Sequence, residues 1–276
     1  MVSIAMIVKN EESCLEKCLE SVKDFDEIVI VDTGSTDKTK EIAKRYTDKI
    51  YDFEWCDDFA KARNFANSKC TGKWILAMDA DHELISTKEE VEAETERLKD
   101  HDIVFVKYWS HLREILYKNK EDIYWVGAVH ENLNKPATAT STIKKNVGYS
   151  KAHDLDPDRN LRILLKSEKT QRVMFYLGRE YFEKKKYDES IKWMSEYLPK
   201  ATWSQEIAEA YITIAKCHWF SNRGIQAREA CLKAIGTNPD FKEALNLMST
   251  MTYEPLKTKW KKLADNATNK DVLFIR

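Results

Sequence analysis

The stretch Trp74-Ile75-Leu76-Ala77-Met78-Asp79-Ala80-Asp81 runs five apolar residues into two carboxylates one residue apart. A short, uninterrupted apolar run reads as a strand buried on both faces. A strand that delivers paired carboxylates to its C-terminal end is suited to holding a divalent cation against a diphosphate, because hard cations prefer carboxylate oxygen. Alone, an Asp-x-Asp at a strand end is more often a solvated turn, so its weight depends on what surrounds it.

Working outward, the first half alternates strand and helix patterns, as a parallel α/β sheet requires. Residues 3–8 form an apolar run, 12–22 have helical spacing through Leu15, Leu19 and Val22, and 27–31 are β-branched. Thr33-Gly34-Ser35-Thr36-Asp37 reads as a turn in which Ser35 or Thr36 caps a helix over 38–46. A third strand over 50–53, a helix over 58–68 and the strand 74–78 complete a βαβαβαβ order. After a helix over 88–99, strand-like runs at 103–109, 112–117, 124–129 and 143–149 follow without intervening helices, which predicts an antiparallel or mixed edge on the parallel sheet.

From about residue 158 the periodicity is helical throughout. Leu177-Gly178-x-x-Tyr181 with Ser190 and Met194 aligns with Ile214-Ala215-x-x-His218 with Ala227 and Cys231 at a constant offset of 37 residues. Ala234 and Pro239 continue the second copy. Small residues where helices cross and a proline closing the second helix match a tetratricopeptide repeat. Residues 241–253 read as a third, partial unit capping the stack. The expected organisation is an α/β mixed-sheet domain over 1–155 and an all-α repeat domain over 156–276, with 271–276 as a terminal strand.

Composition limits the function classes. The chain has 276 residues, 43% hydrophobic and 33% charged, with only 7 Gly and 5 Pro, which excludes long linkers and low complexity. Residues 1–8 are apolar but stop at Lys9-Asn10-Glu11-Glu12, without the basic segment and cleavage site of a signal peptide, and no apolar run approaches the roughly 20 residues of a membrane span. A cytoplasmic protein is expected. The six cysteines form no Cys-x-x-Cys pair and read as structural thiols. Residues 1–150 carry a net charge of −7 and residues 151–276 one of +6. That asymmetry suits two domains with different partners, although ordinary charged helix faces account for it equally.

In an open α/β sheet, ligands bind beyond the carboxyl ends of the strands. That edge gathers three polar clusters, Val8-Lys9-Asn10-Glu11, Val31-Asp32-Thr33-Gly34-Ser35 and Asp79-Ala80-Asp81, which suggests one shared ligand. Asp32 is suited either to hydrogen bonding a base or ribose or to capping the following helix. Arg63 in Phe59-Ala60-Lys61-Ala62-Arg63-Asn64 offers a fork for phosphate or carboxylate. His130-Glu131, after the apolar residues 125–129, offers a base.

Together, Met6-Ile7-Val8-Lys9-Asn10-Glu11-Glu12, Ile28-Val29-Ile30-Val31-Asp32-Thr33-Gly34-Ser35-Thr36-Asp37-Lys38-Thr39, Phe59-Ala60-Lys61-Ala62-Arg63-Asn64, Asp79-Ala80-Asp81 and Val129-His130-Glu131 resemble family 2 glycosyltransferases of the GT-A fold. The likeness covers about residues 1–150. It is greatest to the subgroup fused to tetratricopeptide repeats, which includes lipopolysaccharide-core glucosyltransferases and bacteriocin peptide S-glycosyltransferases. The resemblance implies an inverting hexosyltransferase that uses a nucleotide sugar, usually UDP-linked, and Mn²⁺ or Mg²⁺. Carried over by position, Asn10, Glu11, Asp32 and Asp79 hold uridine and ribose, while Val8, Gly34, Arg63 and Ala80 belong to the same donor-binding clusters. Asp81 coordinates the metal, and Glu131, with His130 second, is the general base. Similar proteins often place a metal-binding histidine two residues before the Gly-Tyr at Gly148-Tyr149. Here that position is Asn146, so either Asn146 or His153 completes the metal site.

The implied acceptor is a peptide, glycan or other macromolecule held by the helical repeats; the basic second half permits a nucleic acid acceptor, and the helices are alternatively suited to bracing the catalytic domain or forming a homodimer. Two other readings compete. A lapsed transferase fold serving as a binding scaffold should have lost some of Asp32, the carboxylate pair and His130-Glu131. A nucleotidyltransferase normally has a glycine-rich phosphate loop after its first strand, and Lys9-Asn10-Glu11-Glu12 has none.

Overall fold

A computed structural model of the chain describes residues 1–108, 111–148, 150 and 156–267. It divides into two compact units, Met1–Arg159 and Asn160–Arg276. The strand expected at 271–276 lies outside the described residues.

The first unit runs β1 (Val2–Val8), α1 (Leu15–Glu20), β2 (Glu27–Asp32), α2 (Thr39–Ala43), β3 (Ile50–Asp52), α3 (Phe59–Asn67), β4 (Trp74–Met78), β5 (His82–Leu84), α4 (Lys88–Arg97), β6 (Ile103–Tyr108), β7 (His111–Lys118), β8 (Trp125–Val126), β9 (Asn132–Leu133) and β10 (Ala139–Val147). Eight strands form one sheet in the order β3-β2-β1-β4-β7-β6-β10-β5, and β8 and β9 form a separate two-stranded ribbon. The first four strands in that order are parallel. Strand β7 is antiparallel to both β4 and β6, and β5 is antiparallel to β10. This is the mixed sheet that the closely spaced later strands predict. Central strands β2 and β4 are buried at every position, which is why they read as unbroken apolar runs.

Two expectations are corrected. The run at 124–129 forms only the short strand β8, because the chain turns at Gly127 and His130, both at positive φ. Helix α2 is shorter than expected and is not capped by Ser35 or Thr36. Those hydroxyls bond toward Asn10 instead: Asn10 N donates to Ser35 Oγ at 2.9 Å, and Thr36 Oγ1 donates to Asn10 Oδ1 at 3.3 Å.

Far from the carboxyl edge, the buried carboxylate of Glu27 accepts hydrogen bonds from Ser3, Lys49 and Thr71. Burial alone would raise its pKa, but these bonds outweigh burial and hold it at about 2. Its folded value lies below its ordinary 4.5, so its contribution is complete above pH 4.5 and is lost as pH falls toward 2. That contribution is about 3 kcal/mol. Denaturation from pH 6 to 2 is therefore expected to show a steeper loss of stability in the native chain than in Glu27→Gln, and equal slopes would rule this network out as the cause.

The second part begins with α5 (Arg159–Lys166) and continues as helix pairs: α6 (Gln171–Glu183) with α7 (Tyr187–Tyr197), α8 (Ser204–Phe220) with α9 (Gly224–Thr237), and α10 (Lys242–Thr250) with α11 (Leu256–Asn266). Most equivalent positions of the internal repeat are buried, Gly178, Ser190 and Met194 in the first pair and Ala215, Ala227 and Cys231 in the second, while Tyr181 and His218 are partly exposed. Ser190 Oγ donates to Gly178 O at 2.7 Å, a bond that only closely approaching helices allow. No helix among the described residues is long and apolar enough to cross a membrane.

Candidate active site

Register brings the three polar clusters to one edge. Val8 pairs with Asp32 and Met6 with Met78, so the chain leaves β1, β2 and β4 at nearly the same level. Residues 9–12 and 33–39 then clamp each other. Asn10, at φ 56, accepts from Thr36 N at 2.7 Å; Glu11 N donates to Thr39 Oγ1 at 2.7 Å; and Glu12 accepts from Lys38 N at 3.0 Å. The Glu11 carboxylate accepts from Ser150 and from the Cys14 thiol.

Asp32 caps the turn rather than the helix after it. Its Oδ1 accepts from Gly34 N at 2.6 Å and Ser35 N at 2.7 Å, with Gly34 at φ 103. Its Oδ2 is buried and has no hydrogen-bond partner among the described residues. A buried acceptor left unsatisfied is costly, so this oxygen is suited to a donor from a ligand.

Helix α3 carries the centre of the site. Asp58 caps it by accepting from Lys61 N at 2.9 Å, and Ala60, Ala62 and Ala66 let it pack closely on the sheet. Arg63, only 9% exposed, extends across the edge: Nη2 donates to Asp79 Oδ1 and Nε to Glu131 Oε1, each at 2.7 Å. Its guanidinium lies over the Trp125 ring, 5.0 Å from the centroid. Burial disfavours the Arg63 charge, but the two carboxylates more than restore it. Asp79 is likewise raised by burial and lowered further by Arg63, so it stays ionised. Asn64 fixes the loop that carries Glu131, donating to Trp125 O at 2.9 Å and accepting from Trp125 N at 2.8 Å. His130 is exposed at φ 52.

A model of the family described as "Glycosyl transferase family 2" matches residues 3–161, more than half of the chain. The chain belongs to glycosyl transferase family 2. A TPR repeat-containing protein of Synechococcus elongatus is 40% identical over 159 residues, covering 52% of this chain and 38% of that protein. The SPbeta prophage-derived glycosyltransferase SunS of Bacillus subtilis is 28% identical over 226 residues, covering 72% of this chain and 53% of SunS. The chain thus spans about half or less of the length of these relatives. The crystal structure of S. aureus TarS superposes with a TM-score of 0.51 at 15% identity over 83% of this chain and 54% of TarS, a likeness of fold. The mixed sheet with its helical C-terminal part is the GT-A-like arrangement.

In this family 2 domain, Asp81 opens onto a cleft of about 390 Å³ that Asn146, Gly148, Cys14 and Lys17 also line. Gly148 N donates to Asp81 O at 2.7 Å and holds the loop. A Cβ at Gly148 would lie 2.5 Å from that carbonyl oxygen. Gly148→Ala is accordingly expected to displace Asp81 at a cost of about 1–3 kcal/mol in stability. Thermal melts of the variant check this.

Among the described residues no group of three or more His, Cys, Asp and Glu side chains can hold a metal ion. Burial and Glu11 push the Cys14 thiol up to about 12. The hard donors lining the cleft include the Asp81 and Glu83 carboxylates and the Asn146 amide oxygen. Such a sparse, hard set fits Mg²⁺ or Mn²⁺ completed by substrate phosphates and water. The amide nitrogen of Asn146 donates to Glu83 at 3.3 Å; His153 lies outside the described residues.

Sequence reasoning missed His82 and Lys145. Strand β5 pairs with β10 and brings them together, with Lys145 Nζ 3.0 Å from His82 Nδ1. Burial lowers His82 to about 4 and Lys145 to about 8. The signal was present in the alternation of β10, where Ser141, Ile143 and Lys145 share the buried face. A lysine in an apolar register is a buried cation.

Proposed function

We propose that the chain is an inverting, divalent-metal-dependent glycosyltransferase that moves a sugar from a UDP donor to a hydroxyl or thiol of a peptide, glycan or other macromolecule. The observation that carries this reading is the Arg63 clamp. It joins the carboxylate loop at the sheet edge to Glu131, so that donor site and base lie on either side of one buried guanidinium.

In this account Val8, Asn10, Glu11, Asp32 and Gly34 form the nucleoside side of the site, and the unsatisfied Asp32 oxygen accepts a hydrogen from base or ribose. Asp79, Ala80 and Arg63 border the ribose and sugar. Asp81, with Asn146 beside it, would hold Mn²⁺ or Mg²⁺, which supplies positive charge to the leaving diphosphate. Glu131 takes the proton from the acceptor O–H or S–H. The freed lone pair forms the bond to the anomeric carbon on the face opposite UDP, and the anomeric C–O bond breaks with its electron pair leaving on the diphosphate. His130, exposed beside Glu131, contacts the incoming acceptor. The catalytic domain is assigned to 1–155 and the acceptor-holding repeat domain to 156–276, acting in the cytoplasm.

Incubation with a panel of UDP-sugars and Mn²⁺, read by release of UDP, tests the reading. At least one donor is expected to be hydrolysed or transferred, with a loss of about 100-fold or more in Glu131→Gln. No turnover of any donor would contradict it.

A further inference from the structure

His82, the first residue of β5, stands beside both carboxylates of the Asp79-Ala80-Asp81 loop. Its side chain is largely buried. Two groups converge on its Nδ1: Lys145 Nζ from β10 at 3.0 Å and the backbone N of Asp79 at 3.4 Å. An amide N–H and an ammonium donate hydrogen bonds and cannot accept them. Nδ1 is therefore the acceptor, and these neighbours assign the ring hydrogen to Nε2. That nitrogen faces the site, 3.5 Å from Asp79 Oδ2 and 3.8 Å from Asp81 Oδ1.

Both separations exceed a formed hydrogen bond, so the N–H attracts two carboxylates and belongs to neither. The two carboxylates are anchored differently. Asp79 Oδ1 accepts from Arg63 Nη2 at 2.7 Å, which fixes that group. Asp81 is fastened by its backbone oxygen to Gly148 N at 2.7 Å, an anchor that sets the loop and not the direction of the carboxylate. A polar hydrogen held at a fixed point does set that direction, because it attracts the nearer Asp81 oxygen and offsets the repulsion from Asp79. Donors behind a metal-ligating carboxylate orient it and raise its affinity for the metal. We propose that His82 is a positioning residue which, braced by Lys145, aims the Asp81 carboxylate at a divalent cation. The proposal rests on the reading of Asp81 as the metal ligand, and deepens it by naming what orients that ligand.

The test has two arms. In the first, nitrogen–proton NMR correlation spectra of the native chain without metal report which ring nitrogen of His82 carries the hydrogen. Nε2 is expected, and a hydrogen on Nδ1 overturns the proposal. In the second, Mn²⁺ is titrated into the native chain, His82→Gln and His82→Asn, with and without UDP, and free Mn²⁺ is followed by electron paramagnetic resonance. The amide N–H of a glutamine reaches the place of Nε2, whereas that of an asparagine reaches only the place of Nδ1. His82→Asn is therefore expected to weaken Mn²⁺ binding about tenfold and His82→Gln to keep most of it. Thermal melts run alongside, with His82→Ala in place of His82→Asn where the latter does not fold. Native affinity in the shorter variants, an equal loss in His82→Gln, or no Mn²⁺ binding by the native chain overturns the proposal. If UDP binds with native metal linkage in every variant, the nucleotide-sugar reading stands without it. If Mn²⁺ binding follows the expected order but UDP does not bind, the role of His82 stands and the nucleotide-sugar reading fails.

Discussion

Arg63→Ala is expected to destabilise the N-terminal unit by about 3–5 kcal/mol, because it leaves the half-buried carboxylates of Asp79 and Glu131 without their shared cation. The guanidinium bonds both, at 2.7 Å each, and it also packs on Trp125. Turnover should fall with stability, since the two carboxylates then repel each other and the loops carrying them lose their common anchor. Arg63→Lys separates the two effects. A lysine keeps the charge but cannot reproduce two divergent hydrogen bonds from a planar fork, so stability should recover more than activity. Chemical denaturation and donor hydrolysis, measured on the same samples, check this. A fully stable Arg63→Ala would mean that the clamp contributes nothing.

Asp81→Ala is expected to lower kcat/KM for the preferred UDP-sugar by about 100-fold or more while leaving the fold intact. Asp81 sits at the cleft, held by Gly148 through its backbone rather than through its carboxylate, so truncating the side chain keeps that anchor. Raising Mn²⁺ should not restore the activity. A variant that turns over normally would remove a metal at Asp81 from the reaction, since the described residues hold no group of three or more His, Cys, Asp and Glu side chains that could bind it instead.

The central sheet was legible because β2 and β4 are buried on both faces, whereas a strand with one face in water would alternate apolar and polar residues. The convergence of residues 8–11, 32–35 and 79–81 followed from the parallel order of those strands. The helical repeat was legible because Gly178, Ser190 and Ala227 have a packing reason to be small. What escaped were elements too short to carry a period. His82-Glu83-Leu84 is three residues long, polar at two of them, and becomes a strand only because β10 pairs with it. Its pairing creates the contact between His82 and Lys145, which no local pattern encodes. Arg63 was visible as an arginine on a helix, but its bond to Glu131, 68 positions away in sequence, depends on Asn64 anchoring the loop at Trp125. Ser35 and Thr36 carried the chemistry of helix caps, and tertiary contacts with Asn10 took them instead.

The central claim is that one sheet edge binds a UDP-sugar through a metal held at Asp81. Calorimetric titration of UDP into the native chain, with and without Mn²⁺, tests it most directly. Mn²⁺ is expected to tighten UDP binding about tenfold or more, and Asp81→Ala to abolish this linkage. UDP binding that is absent, or that is identical with and without Mn²⁺ in the native chain, would contradict it.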